Sequence, residues 1–178
     1  AELILQQKAN PALTQEYAFD IRRSAKNLLH IINEVLDISK IEAGKMEIVS
    51  EVYHTQRLLE DVSMVIANQA KEKGLQYCVE IDPALPYRMK GAASSIREIM
   101  INIMNNAVKY TNEGMVSLRV HRKWRTEKQI QLEIVAEDTG IGMKEIDLQT
   151  IFDKFSQYDT KTNRNVEGTG LGMAIVKG

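Results

Sequence analysis

Hydrophobic and polar positions follow two successive regimes along the chain. From Thr14 to Ala43 the positions Ile21, Ala25, Leu28, Ile32, Val35 and Ser39 form a heptad seam, widened by Leu29, Leu36 and Ile38. Thr14 is a plausible N-cap and Gly44 a stop, so the pattern predicts a helix of roughly 29 residues, about 43 Å long. Residues 1–8 (AELILQQK) read as the last turns of an earlier helix, broken at Asn10-Pro11. A hairpin of this size has no self-sufficient core. Its broad seam predicts pairing with a second copy as a four-helix bundle.

The period then changes. Met46 to Tyr53 alternates as a strand with Met46, Ile48 and Val52 inward, and Thr55 opens a helix that runs to Gly74. Tyr77, Val79 and Ile81 mark a further strand, and Pro83 and Pro86 punctuate a loop. A helix is predicted over 95–111, followed by a turn at Asn112-Glu113-Gly114. Val116, Leu118 and Val120 then alternate, as do Ile130, Leu132, Ile134 and Ala136, with a charged stretch between them that predicts a hairpin. Strands on one side and helices on the other predict an α+β domain built as a two-layer α/β sandwich.

The helix over 95–111 has two unlike sides. Ile96, Ile99, Met100, Ile103, Met104, Ala107 and Val108 make an apolar face, while Glu98, Asn102, Asn105, Asn106 and Lys109 gather opposite, with Tyr110 at the border. Asn is a poor helix former, and Glu or Lys would solvate that side at less cost. An Asn carbonyl ligates hard cations, its amide donates to phosphate oxygens, and Lys supplies a point charge. A solvated face that happens to be Asn-rich is the alternative.

Composition narrows the options. The 178 residues are 44% hydrophobic and 26% charged with a net charge of −1, ordinary for a globular protein and without a global field toward nucleic acid or an acidic membrane. No apolar run approaches the ~20 residues that span a bilayer, and no signal-peptide pattern opens the chain. The single cysteine, Cys78, excludes an intrachain disulfide, fits a reducing compartment, and is expected to be a small buried residue in a strand. Abrupt ends suggest a fragment.

Two glycine-bearing stretches carry further chemistry. Asp138-Thr139-Gly140-Ile141-Gly142 follows a strand, which delivers a carboxylate to a pocket mouth and lets backbone approach a flat ligand. A carboxylate accepts from an exocyclic amine but not from a carbonyl, favouring adenine over guanine. A simple turn is the competing explanation. Gly168-Thr169-Gly170-Leu171-Gly172 leads into Met173–Lys177, where glycines ahead of a helix can turn N–H groups toward a phosphate. It fits neither the lysine-bearing phosphate loop nor the dinucleotide fingerprint. Phe152 and Phe155 read as packing anchors below an aperiodic stretch from Ser156 to Glu167, long enough for a lid that could bring Lys161 and Arg164 to a phosphate.

In combination, the Asn-x3-Asn-x2-Lys-Tyr helix, the strand-borne D-x-G-x-G, the phenylalanine pair, the lid and G-T-G-L-G resemble the ATP-binding domain of sensor histidine kinases. They correspond to its N box, first glycine box, F box and second glycine box. The stretch Leu36 to Lys45 (LDISKIEAGK) is similar to the end of the second dimerisation helix in hybrid-type kinases. The resemblance implies an ATP-binding sandwich of the histidine kinase, gyrase and Hsp90 kind over 46–178, preceded by a partial dimerisation hairpin over 1–45. It implies ATP and Mg2+ as ligands, with Asn106 on the magnesium and Asn102 and Lys109 on phosphates, flanked by Tyr110. Asp138 would take the adenine amine, with Gly140 and Gly142 shaping that pocket. Gly168, Gly170, Leu171 and Gly172 would form the hinge that admits the phosphates. The implied partners are a second copy through the helices and a response regulator receiver domain, with no nucleic acid and no membrane contact by this segment; the implied place is the cytoplasm.

The family's accepting histidine precedes an acid on the first dimerisation helix. His30, His54 and His121 are followed by Ile31, Thr55 and Arg122, so none matches and the acceptor is expected upstream of Ala1. Gly91 stands where an acid is usual, and Gln157 where a basic residue often follows the F box. ATP-hydrolysing members carry a Glu at the position of Asn102. An amide cannot take a proton from water, which favours phosphoryl transfer to histidine over hydrolysis. A nucleotide-binding dimerisation module without activity is the other reading.

Overall fold

The computed structural model describes residues 11–126, 129–144, 148, 150–153 and 169–177. The chain divides into two units, residues 1–46 and 47–178. In the first, helix α1 runs Pro11–Glu42. It starts three residues before Thr14, because proline at a first helical position forgoes only an N–H that has no intrahelical acceptor. The seam residues Ile21, Leu28, Ile32 and Val35 are all exposed, whereas Glu34 and Ile38 are buried.

The second unit begins with β1 (Glu51–His54) and α2 (Thr55–Glu72). It continues through β2 (Gln76–Ile81), β3 (Arg88–Gly91) and α3 (Ala93–Tyr110). Then come β4 (Met115–Arg125), β5 (Ile130–Asp138) and the short α4 (Gly172–Lys177). Strands β2, β4 and β5 form one sheet in that order, with β2 parallel and β5 antiparallel to β4. The β4–β5 hairpin anticipated from alternation is present, with an irregularity between Arg122 and Trp124. Helices α2 and α3 pack on each other and on this sheet. The core between the layers holds Val62, Ile66, Met100, Met104, Val116, Leu118 and Val120, each at most 1% exposed. The architecture is the two-layer α/β sandwich that the alternating strands and amphipathic helices called for.

Three expectations are corrected. The strand anticipated over Met46–Tyr53 is reduced to Glu51–His54, because only those residues find a partner, the unanticipated β3, through Glu51↔Gly91 to His54↔Arg88. Tyr53 is the residue that packs on the core, so period-2 alternation turns Val52 outward, and Ile48, ahead of the strand, is exposed as well. Cys78 is exposed rather than buried. It sits on edge strand β2 next to Tyr77, which packs on the core, so its own side chain takes the other face of the sheet. That face is ionic further along, with Arg119–Glu137 and Lys123–Glu133 paired across β4 and β5. Finally, Ile101 rather than Ile99 joins Ile96 at the core margin of α3. Among the described residues no helix is long and apolar enough to cross a membrane.

Candidate functional site

Helix α3 turns Met100, Met104, Ala107 and Val108 into the core, and this fixes the rotation of everything else on it. Asn102, Asn106, Lys109 and Tyr110 fall at i, i+4, i+7 and i+8, successive positions along another side of the helix. Asn102 is itself buried, and its Nδ2 has no hydrogen-bond partner. The Oδ1 of neighbouring Asn105 is likewise buried without a partner. Buried polar atoms are nearly always satisfied, so each orphan calls for an explanation. Asn106, Lys109 and Tyr110 are half-buried, and the Lys109 ammonium stands 4.9 Å from the Tyr110 ring centroid.

The two glycine-bearing stretches meet this helix at different heights. At Asn102, α4 arrives: a Cβ added to Gly172 would lie 3.6 Å from the Asn102 side-chain carbon and oxygen. Leu171 and Ile175 anchor α4 by burial, at 1% and 6% exposure. The Leu171 N–H is turned onto the Thr169 hydroxyl at 3.2 Å, and Gly170 adopts φ +72, a left-handed conformation that a side chain would strain. At the far end of α3, the loop after β5 crosses Tyr110. A Cβ on Gly140 would collide with the Tyr110 carbonyl and come within 2.8 Å of Asp138 Oδ1, so only glycine admits this crossing. Asp138 is exposed, and its Oδ1 accepts from the Gly140 N–H at 2.9 Å. Thr139 ties the loop to β4, its Oγ1 accepting from Met115 N–H at 3.0 Å and its own N–H donating to Met115 O at 3.1 Å. Asn102 and Tyr110 are about 12 Å apart along the helix axis.

The C-terminal end of α3 is closed in a way that spacing along the sequence does not announce. A helix leaves its last four carbonyls without intrahelical partners. Here Ala107 O accepts from the Thr111 hydroxyl at 2.7 Å. Val108 O and Lys109 O accept from Lys73 Nζ at 2.8 and 2.7 Å. Tyr110 O accepts from the Ile141 N–H at 3.3 Å. Lys73 and Thr111 escaped the sequence reading, since neither belongs to a motif and Lys73 lies 36 residues from Lys109.

Of the anticipated site residues, Asn102 and Gly172 are brought together, as are Tyr110, Asp138 and Gly140. Asn106 and Lys109 lie between these two places on the helix. Gly142 and Gly170 have positive φ, and a Cβ on Gly142 would meet open space. Gly168, Phe155, Lys161 and Arg164, and the expected lid, lie outside the described residues. Among the described residues no cluster of three or more His, Cys, Asp and Glu is placed to hold a metal ion.

The arrangement is a two-layer sandwich whose long helix meets two glycine-bearing stretches. Residues 91–178 match the histidine kinase-, DNA gyrase B- and HSP90-like ATPase family. The chain is 36% identical over 174 residues to hybrid signal transduction histidine kinase B of Dictyostelium discoideum, covering 98% of this chain and 9% of that protein. To the sensor protein GacS of Pseudomonas syringae pv. syringae it is 39% identical over 162 residues, 91% of this chain and 18% of that protein. The crystal structure of full-length ShkA in complex with AMPPNP superposes with a TM-score of 0.74 at 28% identity, covering 98% of this chain and 35% of that one. Within its ATPase family the chain belongs with the sensor histidine kinases, as a catalytic domain. It spans a tenth to a fifth of the curated relatives named here.

Proposed function

We propose that this chain binds Mg-ATP and transfers the γ-phosphate to a histidine of a two-component sensor, for relay to a response regulator receiver domain. The observation that carries the reading is Asn102: a buried amide whose Nδ2 lacks a partner, packed against Gly172 and on the helix side that also carries Asn106 and Lys109. An orphaned donor beside a glycine is what a phosphate oxygen would satisfy. Lys109 adds charge and Tyr110 lines the flank. Gly170 and Leu171 would complete the phosphate side, and Gly142 the base side. Asp138, with Oδ1 engaged by Gly140, offers Oδ2 to the adenine amine. The full-length ShkA structure, with its bound AMPPNP, supports the nucleotide assignment.

Asn106 fits magnesium by donor chemistry. Its single amide oxygen suits an ion that keeps several waters and takes most other ligands from phosphates. When bound, the ion would neutralise phosphate charge. This chain's residues contribute position and charge, which is most of what phosphoryl transfer needs.

The acceptor nitrogen would displace ADP at the γ-phosphorus. None of the chain's three histidines is assigned that role. His30 is 3.5 Å from Glu34 one turn on, His54 stacks edge-on against Tyr87 at 4.9 Å, and His121 is half-buried in β4. We therefore read the acceptor as a histidine outside residues 1–178, since none of these three is followed by an acid. Residues 1–45 would serve as part of a hairpin that dimerises as a four-helix bundle, with 46–178 as the ATP-binding domain. An exposed free Cys78 suits the reducing cytoplasm.

The test mixes the chain with a separately made, acceptor-bearing helical hairpin and γ-labelled ATP. Magnesium-dependent, acid-labile label on histidine is expected. Nucleotide binding without label under any condition would leave only an inert binding module.

A further inference from the structure

The mode of closure of helix α3 assigns a role to a residue outside every motif. Lys73, the C-cap residue of α2, spans to the far end of α3 and places one ammonium on two successive carbonyls, Val108 O and Lys109 O. Its own backbone is held there: the Lys73 N–H donates to Gln69 O and Ala70 O, and Gly74 follows with φ +74. The donor is thus presented from a fixed point rather than from a free surface side chain. Burial lowers the pKa of this lysine, in keeping with an ammonium partly withdrawn from water onto the helix end.

The carbonyl next in line is Tyr110 O, and its partner is the Ile141 N–H of the loop that begins at Asp138. Gly140 lies against the same carbonyl. The direction of the last α3 carbonyls therefore sets where the Asp138 loop crosses, while the same residues, Lys109 and Tyr110, carry the side chains facing the site. A lysine on α2 fixes both at once. A positive charge at a helix C-terminus is favourable in itself, but generic capping does not require contact with these two carbonyls.

We propose that Lys73 is a positioning residue of the nucleotide site, holding the end of α3 so that Lys109, Tyr110 and the Asp138 loop keep their mutual register. The inference rests on the ATP-binding reading given above. It concerns geometry at the base end of the site and makes Lys73 no ligand of the nucleotide.

The experiment is calorimetry of the full 178-residue chain with Mg-ATP and Mg-GTP, comparing the unaltered protein with K73M, K73R and V62A. Val62 is fully buried in the core, so V62A reports general destabilisation. K73M is expected to weaken ATP binding roughly tenfold and to narrow the ratio of ATP to GTP affinity. K73R, whose guanidinium can also donate to two carbonyls, restores most of both. V62A lowers the unfolding temperature but leaves the ratio unchanged at a temperature where it is folded. An ATP-to-GTP ratio in K73M equal to that of the unaltered chain, or shifted equally in V62A, overturns the inference. If K73M does not fold, the ratio in K73Q, which keeps one donor group, decides by the same criteria. Failure of the unaltered chain to bind ATP overturns the underlying reading, and this inference with it.

Discussion

Helices α1 and α3 carry similar apolar periodicity and meet opposite fates. On α3 the stripe is consumed by the chain's own fold, with Met100 and Met104 at 0% exposure. On α1, Leu28 stays 58% exposed and Leu36 51%. A helical apolar stripe establishes that something must cover it and says nothing about whether the cover lies in the same chain. Where the fold supplies it, rotation of the helix is fixed and the remaining side can be given to chemistry, as we propose for Asn102, Asn106 and Lys109. On α1 the described residues leave the stripe exposed, which accords with the dimerisation proposed for it.

The contrast is broken most directly by truncating one residue on each helix. Met104→Ala should cost about 2–5 kcal/mol in denaturant unfolding of the sandwich. Leu28→Ala should move that same transition by less than about 0.5 kcal/mol. Equal effects would mean that the exposed seam contributes to the sandwich after all. Pairing Leu28→Lys with Ile32→Lys sharpens the other half. Sedimentation should show a dimer becoming a monomer, with the affinity for ATP per chain unchanged; a variant that still dimerises moves the interface elsewhere.

A smaller effect is expected at the chemical side. Asp138→Ala should lower ATP affinity roughly tenfold and leave GTP binding unchanged or slightly stronger, since the carboxylate that opposes the guanine carbonyl is gone. Calorimetry showing equal losses for both nucleotides would remove the adenine role. Smallest is the effect of Asp82, at the end of β2. Its carboxyl accepts from Ala84 N–H at 2.8 Å and from Arg122 N–H at 3.2 Å, and these bonds hold its pKa below the ordinary value. The folded state then binds protons less readily than the unfolded one. The stabilisation is present above the unfolded value and lost as pH falls through the folded one. The stability difference between the native chain and Asp82→Asn should therefore be largest near neutrality and shrink below roughly pH 4. A pH-independent difference in thermal unfolding would assign Asp82 another role.

Much of the sandwich was legible because period-2 and period-3.6 patterns report local burial: α2, α3 and the β4–β5 hairpin fall close to where alternation puts them. Strand β3 was not. Arg88–Gly91 has only four residues and one buried apolar side chain, Met89, too short a pattern to announce a strand; it becomes one through pairing with β1, and that pairing also shortens β1. The candidate site was legible where side-chain type carries the signal, as in the amides of α3 and the glycines of both loops. Its support was not, because Lys73 and the Ile141 N–H act through backbone carbonyls, which every residue possesses. Gly140 lies between these cases. Its presence was plain in the motif, yet the reason for it, a crossing over Tyr110 O, emerges only in three dimensions.

The central claim is that the polar side of α3 and the two glycine-bearing stretches serve one ligand. Its most direct test is an NMR titration of the isotopically labelled chain with Mg-ATP. The side-chain amides of Asn102 and Asn106 and the backbone amides of Gly140, Gly142, Gly170 and Gly172 should all shift along a single saturation curve. Shifts confined to one stretch, or two sets that saturate at different nucleotide concentrations, would contradict the account.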